Sequence, residues 1–154
     1  MDISLDEIDV RILTRMQENA RVSNSDLAKE VNMAPSAVLE RVKKLEQKGA
    51  IKGYTTQLDP VVLGKKLVAF IFIKSKEGFA CSNPKVTRLL ANIPEIQEVH
   101  GVAGDDCFLV KIRTEDAASL MKLMRGSLQK IPGILSTKTT IVLETIKEQQ
   151  KIVI

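Results

Sequence analysis

Aromatic residues are scarce in this chain of 154 residues, which has four Phe, one Tyr and no Trp. Cysteine and histidine are scarcer still, Cys81, Cys107 and His100 being the full complement. Two cysteines are too few for a disulfide framework, and without a Cys-x-x-Cys or Cys/His spacing they make no zinc site. Both read as small reduced core or loop residues, and no metal is expected. One histidine leaves a single place to build a Ser-His-Asp or Cys-His centre, and the neighbours Glu98 and Val99 read as strand. Gly-x-Ser-x-Gly, His-Glu-x-x-His, the Walker phosphate loop and Gly-x-Gly-x-x-Gly are all missing. Catalytic residues and cofactors are therefore not expected. The longest apolar run, residues 67–73, falls far short of the roughly 20 residues a helix needs to span a bilayer. Asp2, Asp6, Glu7 and Asp9 occupy the start, where a secretory signal needs basic residues and then an unbroken apolar stretch. The expectation is a cytoplasmic chain with no membrane partner.

What is present is a balanced mixture, 44% hydrophobic and 27% charged, enough for one core or two small ones. The net charge of +4 is modest and unevenly spread. Residues 1–64 hold 9 Lys/Arg against 10 Asp/Glu, and residues 65–154 hold 14 against 9. Yet residues 36–52 carry Arg41, Lys43, Lys44, Lys48 and Lys52 against only Glu40 and Glu46. Such a local basic stripe matters more for phosphate binding than the total.

Ser4-Leu5-Asp6-Glu7 has the form of a capping box and predicts a helix start, followed by Leu5, Ile8, Ile12, Leu13 and Met16 on one apolar face. Ser23-Asn24-Ser25-Asp26 predicts a second helix over 25–31 that buries Leu27, Ala28 and Val31. Pro35 suits the first position of a third helix, running to about Lys48, with Gly49 ending it. Its inner face is Val38, Leu39, Val42 and Leu45; Ser36, Glu40, Lys43, Lys44 and Gln47 point away, with Ala37, Arg41 and Lys48 along a flank. Residues 50–58 suit a short hairpin or wing. Three helices with a tight turn between the second and third make a helix-turn-helix; an ordinary three-helix bundle with a solvated charged face fits the same pattern.

Leu5-Asp6-x-x-Asp9-x-x-Ile12-Leu13, Gln17-x-x-Ala20-Arg21, Leu27-Ala28 and the run from Pro35-Ser36 through Arg41-Val42-Lys43-Lys44-Leu45-Glu46 to Gly53-Tyr54 resemble the Lrp/AsnC, or feast/famine, transcriptional regulators. The chain departs from them at Ala34, where that family usually places a capping Ser. Replacing such a cap by Ala typically costs ~1 kcal/mol.

Beyond Asp59-Pro60, apolar patterning predicts a strand over 66–74, a helix over 83–93, strands over 96–102 and 107–113, a helix over 116–131 and a last strand over 134–144. This βαββαβ order is the ferredoxin-like arrangement, an antiparallel sheet with two helices on one face. The fold class is thus α+β: an N-terminal winged helix-turn-helix domain (1–58), a linker (59–65) and a C-terminal ferredoxin-like domain for effector binding and oligomerisation (66–154). RNA-recognition motifs share the second topology, but they stack bases on exposed aromatics, and Phe108 is alone in the third strand. The first strand is apolar on both sides, with Leu67, Ala69, Ile71 and Ile73 on one and Val68, Phe70 and Phe72 on the other, so a homodimer closing the sheet face is expected. The resemblance implies further assembly of such dimers. A two-fold dimer presents two recognition helices to successive major grooves of double-stranded DNA.

The residues expected at base edges are Ser36, Ala37, Glu40 and Arg41, because recognition helices enter the groove by their N-terminal part; Ser25, Lys44 and Lys48 are expected at phosphate. Residues 101–108 resemble the family's Gly-Asp-x-Asp loop, which implies an effector site at a contact between dimers. For an amino acid or related metabolite held at Gly104-Asp105-Asp106, Asp105 or Asp106 would pair with the ammonium group, and hydroxyls of the last strand, from Thr137, Thr139 and Thr140, or backbone N–H groups would meet the carboxylate. Cys107 stands where the family usually has its second Asp. A turn with no ligand fits the same residues. The functional expectation is a sequence-specific transcriptional regulator responding to a small metabolite; the alternatives are a sensor without operator recognition and a nonspecific architectural DNA-binding protein.

Overall fold

The computed structural model describes residues 4–75 and 84–154, so Cys81 and Asn83 lie outside the described residues. The chain divides into two compact units, one holding residues through Gln57 together with Glu148–Ile154, the other Leu58–Lys147. The boundaries expected from sequence carried the second domain through residue 154, whereas the last seven residues group with the helices.

The first unit contains α1 (Glu7–Glu18), α2 (Asn24–Val31) and α3 (Pro35–Gln47). Ile12, Leu27, Ala28, Val31, Val38, Val42 and Leu45 form its buried core. Leu39, expected on the inner face, is 38% exposed because it sits at the margin of that stripe. The cap of α1 is Asp6 rather than Ser4: its carboxylate accepts from the Asp9 backbone N–H at 2.8 Å, while the Asp9 side chain accepts from the Asp6 N–H at 3.4 Å. Starting the helix there leaves Leu5 to pack on the core. Ser23 caps α2 by accepting from the Asp26 N–H, and Asn32, in the left-handed region at φ 55°, turns the chain toward α3. Pro35 opens α3 after Ala34, which supplies no side-chain cap. Gly49, at φ +75°, ends it, with the Ala50 N–H donating back to the Leu45 carbonyl. The hairpin expected over 50–58 is not formed among the described residues. Ala50 and Ile51 pack on the helical core instead, and the Tyr54 hydroxyl donates to Glu46 Oε1 at 2.8 Å.

The second unit is built from β1 (Leu67–Ser75), α4 (Pro84–Ala91), β2 (Ile96–Gly101), β3 (Phe108–Thr114), α5 (Ala117–Gly126), a 3₁₀ turn (Leu128–Lys130) and β4 (Ile134–Ile141). Its antiparallel sheet has the order β2-β3-β1-β4. Ala69, Ile71, Ile73, Phe108, Val110 and Ile112 bury one sheet face against Val86 and Leu90 of α4 and Leu120 and Leu123 of α5. The helix expected over 116–131 stops at Gly126, and the 3₁₀ turn that follows brings Leu128 and Ile131 into the same core. Strand β4 ends at Ile141, three residues before the expected limit.

Candidate functional site

The face of α3 opposite the core is open. Ser36, Glu40, Lys44 and Lys48 are exposed, as is Ser25 near the start of α2. Lys43 lies 3.4 Å from Glu40, a loose surface pair one helical turn apart. Among the described residues Lys44, Lys48 and Lys52 have no ion-pair partner. Their charges remain directed to solvent. Ala37 is half-buried on the flank of the helix.

Arg41 behaves differently. Its side chain is only 28% exposed, and its Nη1 donates to Asp6 Oδ2 at 2.6 Å and to Asp9 Oδ1 at 2.8 Å. The two carboxylates are those of the α1 capping box, each using one oxygen on a backbone N–H and the other on Arg41. The Asp9 backbone N–H and the guanidinium hold the Asp6 carboxyl below the usual carboxylate range, and the same pair of carboxylates raises Arg41 further. This triad is not legible in the sequence. The i, i+3 spacing of Asp6 and Asp9 was the available signal, but nothing in sequence brings α3 alongside.

In the second unit, Gly104, Asp105 and Asp106 lie in the turn between β2 and β3, with the Val102 N–H donating to the Cys107 carbonyl across its neck. Asp105 is exposed and Asp106 half-buried. Cys107 is buried in the core of the second unit, its N–H donating to the Ile73 carbonyl. Phe108 and Thr137 pair with Ile73 from opposite sides, which puts Thr137 at the loop's end of the sheet, about 10 Å across two strand spacings. Thr139 pairs with Ile71 on the same face, one strand repeat further from the loop. Thr140 pairs with Phe70 and faces the other way. A single chain thus gathers Thr137 near the loop and leaves Thr140 on the opposite side of the sheet.

That opposite face mixes apolar and charged groups. Val68, Phe70, Phe72 and Leu109 alternate with Glu98, Lys111 and Lys138. Glu98 sits 3.0 Å from His100 and 3.1 Å from Lys111, and these neighbours, His100 first, lower its pKa. The Lys138 ammonium lies 5.9 Å from the Phe72 ring centre. Among the described residues no group of three or more His, Cys, Asp or Glu side chains is placed to hold a metal ion, and no helix is long and apolar enough to cross a membrane.

A helix-turn-helix with an open basic helix face, joined to a ferredoxin-like βαββαβ module, defines a DNA-binding regulator with a separate small-molecule domain. The family model described as winged helix-turn-helix DNA-binding matches residues 5–52, and that described as the Lrp/AsnC ligand binding domain matches residues 68–152. The chain belongs to the Lrp/AsnC family of transcriptional regulators, which are not enzymes. It is 37% identical over 150 residues to the leucine-responsive regulatory proteins of Escherichia coli (strain K12) and Salmonella typhimurium, covering 97% of this chain and 92% of each relative. Among solved structures, a Neisseria meningitidis transcriptional regulator in complex with L-Met superposes with a TM-score of 0.89 at 26% identity, covering 97% of this chain and 96% of the other. Escherichia coli AsnC does so with a TM-score of 0.88 at 27% identity, covering 97% and 99%.

Proposed function

We propose that this DNA-binding regulator is sequence-specific for a double-stranded operator and is tuned by an amino acid or a closely related metabolite. The observation that carries the reading is the solvent-facing surface of α3, where Ser36 and Glu40 near the helix start are backed by the unpaired Lys44 and Lys48. Ser36, Ala37 and Glu40 meet base edges in the major groove, and Ser25, Lys44 and Lys48 meet phosphate. Glu40 accepts from cytosine N4 if it reads a base directly.

The chain works as a homodimer formed through the open sheet face, supported by Val68, Phe70, Phe72 and Leu109 on that face, and such dimers assemble further. The effector binds at Gly104, Asp105 and Asp106. A carboxylate there takes the ammonium group, and β4 offers Thr137, then Thr139, for the α-carboxylate, while Thr140 goes with the dimer face. Support for this ligand class comes from the L-Met held by the Neisseria meningitidis relative.

The test is selection of bound sequences from random duplex DNA, repeated with each of the twenty common amino acids. A recovered operator preferred over random duplex by roughly 10³ or more at physiological salt is expected. For the effector, a shift in operator affinity of about 5- to 150-fold with one of the amino acids is expected. Uniform affinity for all duplexes would favour an architectural protein, and no binding to any duplex would favour a sensor without operator recognition.

A further inference from the structure

We infer that Arg41 is a positioning residue that locks the capping box of α1 onto the recognition helix, and that it reads no base itself. The inference rests on the reading of α3 as the DNA-contacting helix. Three observations carry it. First, Arg41 sits on the flank of α3 with Ala37, turned from the outward line of Ser36, Glu40 and Lys44, and its side chain is half-buried against α1. Second, one guanidinium nitrogen bridges both carboxylates at hydrogen-bond distances of 2.6 and 2.8 Å. Third, Asp6 and Asp9 are like charges that the capping box itself draws together, so Arg41 supplies the countercharge that lets both stay ionised there.

Withdrawing Arg41 to reach a guanine would leave two adjacent carboxylates with only the α1 N-terminus to offset them. The triad carries a net −1, so Arg41 adds no attraction for phosphate; that attraction belongs to Lys44 and Lys48. Held in place, the guanidinium fixes the setting of α3 against the start of α1. The fraction of molecules with α3 correctly set scales the apparent affinity for every duplex alike.

The sign of the effect in Asp9→Asn separates this role from base reading. If Arg41 is a reader held in reserve, removing a carboxylate frees it and removes a negative charge beside the DNA, so binding strengthens. If Arg41 is a strut, binding weakens although a negative charge has gone. Full-length wild type, Asp9→Asn, Arg41→Lys and Lys44→Ala are titrated, at one salt concentration and below their unfolding transitions, against the selected operator and a random duplex of equal length. Asp9→Asn is expected to weaken both by about threefold or more with their ratio unchanged. Arg41→Lys keeps the charge on a single ammonium carried by a more flexible stem, and is expected to keep the same ratio with a smaller loss. Stronger or unaltered binding by Asp9→Asn overturns the inference. If Asp9→Asn does not fold, Arg41→Lys decides: a collapse of the operator-to-random ratio makes Arg41 a base reader. Lys44→Ala reports separately on the underlying reading, since a variant that binds both duplexes like wild type removes α3 from the interface.

Discussion

Ala34 precedes α3 without a side chain that accepts a backbone N–H, so the helix begins with Pro35 alone to organise its first turn. Ala34→Ser is expected to stabilise the helical unit by ~1 kcal/mol, read as a higher urea midpoint with an unchanged denaturant slope. Acid acts on the same unit through other residues. Asp6 is lowered by the Asp9 N–H and then by Arg41, Asp26 by Ser23 and then Lys29, and Glu18 by Lys151 and then Arg15. A carboxylate whose folded pKa lies below its unfolded value contributes stability that is whole above the unfolded value and fades as pH falls through the folded one. Melting temperature is therefore expected to drop as pH is lowered below about 5. A melting temperature flat down to pH 3 would contradict these ion pairs.

At the scale of elements, the least foreseeable feature is the C-terminal tail. Gln17, near the end of α1, uses its whole amide on one residue: its Nε2 donates to the Ile152 carbonyl at 2.9 Å, and its Oε1 accepts from the Ile152 N–H at 2.7 Å. Lys151 adds a 3.1 Å pair with Glu18. An amide side chain here stands in for a neighbouring strand. Removing it in Gln17→Ala is expected to cost ~1 to 2 kcal/mol and to speed hydrogen exchange at the Ile152 amide. Exchange there as slow as in wild type would show that the tail is held by something other than Gln17.

On the scale of the whole molecule, two cores occupy one chain, and the sheet of the second has an open face to cover. Phe70 is half-buried on that face, beside Leu109 and Lys111 of β3 and Thr140 of β4. Because its side chain points away from the helices, Phe70→Glu is expected to leave the fold intact while placing a charge in the proposed dimer contact. Sedimentation at micromolar concentration is expected to show a smaller species than wild type, with unchanged far-ultraviolet circular dichroism. Equal sedimentation of the two proteins would move the dimer contact elsewhere.

The three helices, the βαββαβ order and the family were legible from residues 5–54 and from the apolar periodicities because those signals are local: a cap, a Pro, a Gly and a repeat of two or three to four residues act over one or two turns. For the same reason local signals misled at the margins. Ser4-x-x-Glu7 and Asp6-x-x-Asp9 are competing capping boxes two residues apart, and Arg41, arriving from 32 residues further along, favours the second. An alternating stretch over 50–58 promised a hairpin, yet Ala50 and Ile51 pack on the helical core, and both their N–H groups donate to the Leu45 carbonyl. Between the core and loop readings that the sequence left open for Cys107, packing in the second unit decides for the core. By itself the sequence determined which elements form, which faces are apolar and which family the chain resembles. The tertiary structure decided what Arg41, Gln17 and the last seven residues touch, because a long-range polar contact is made by whichever partner packing delivers, and packing belongs to the folded chain as a whole.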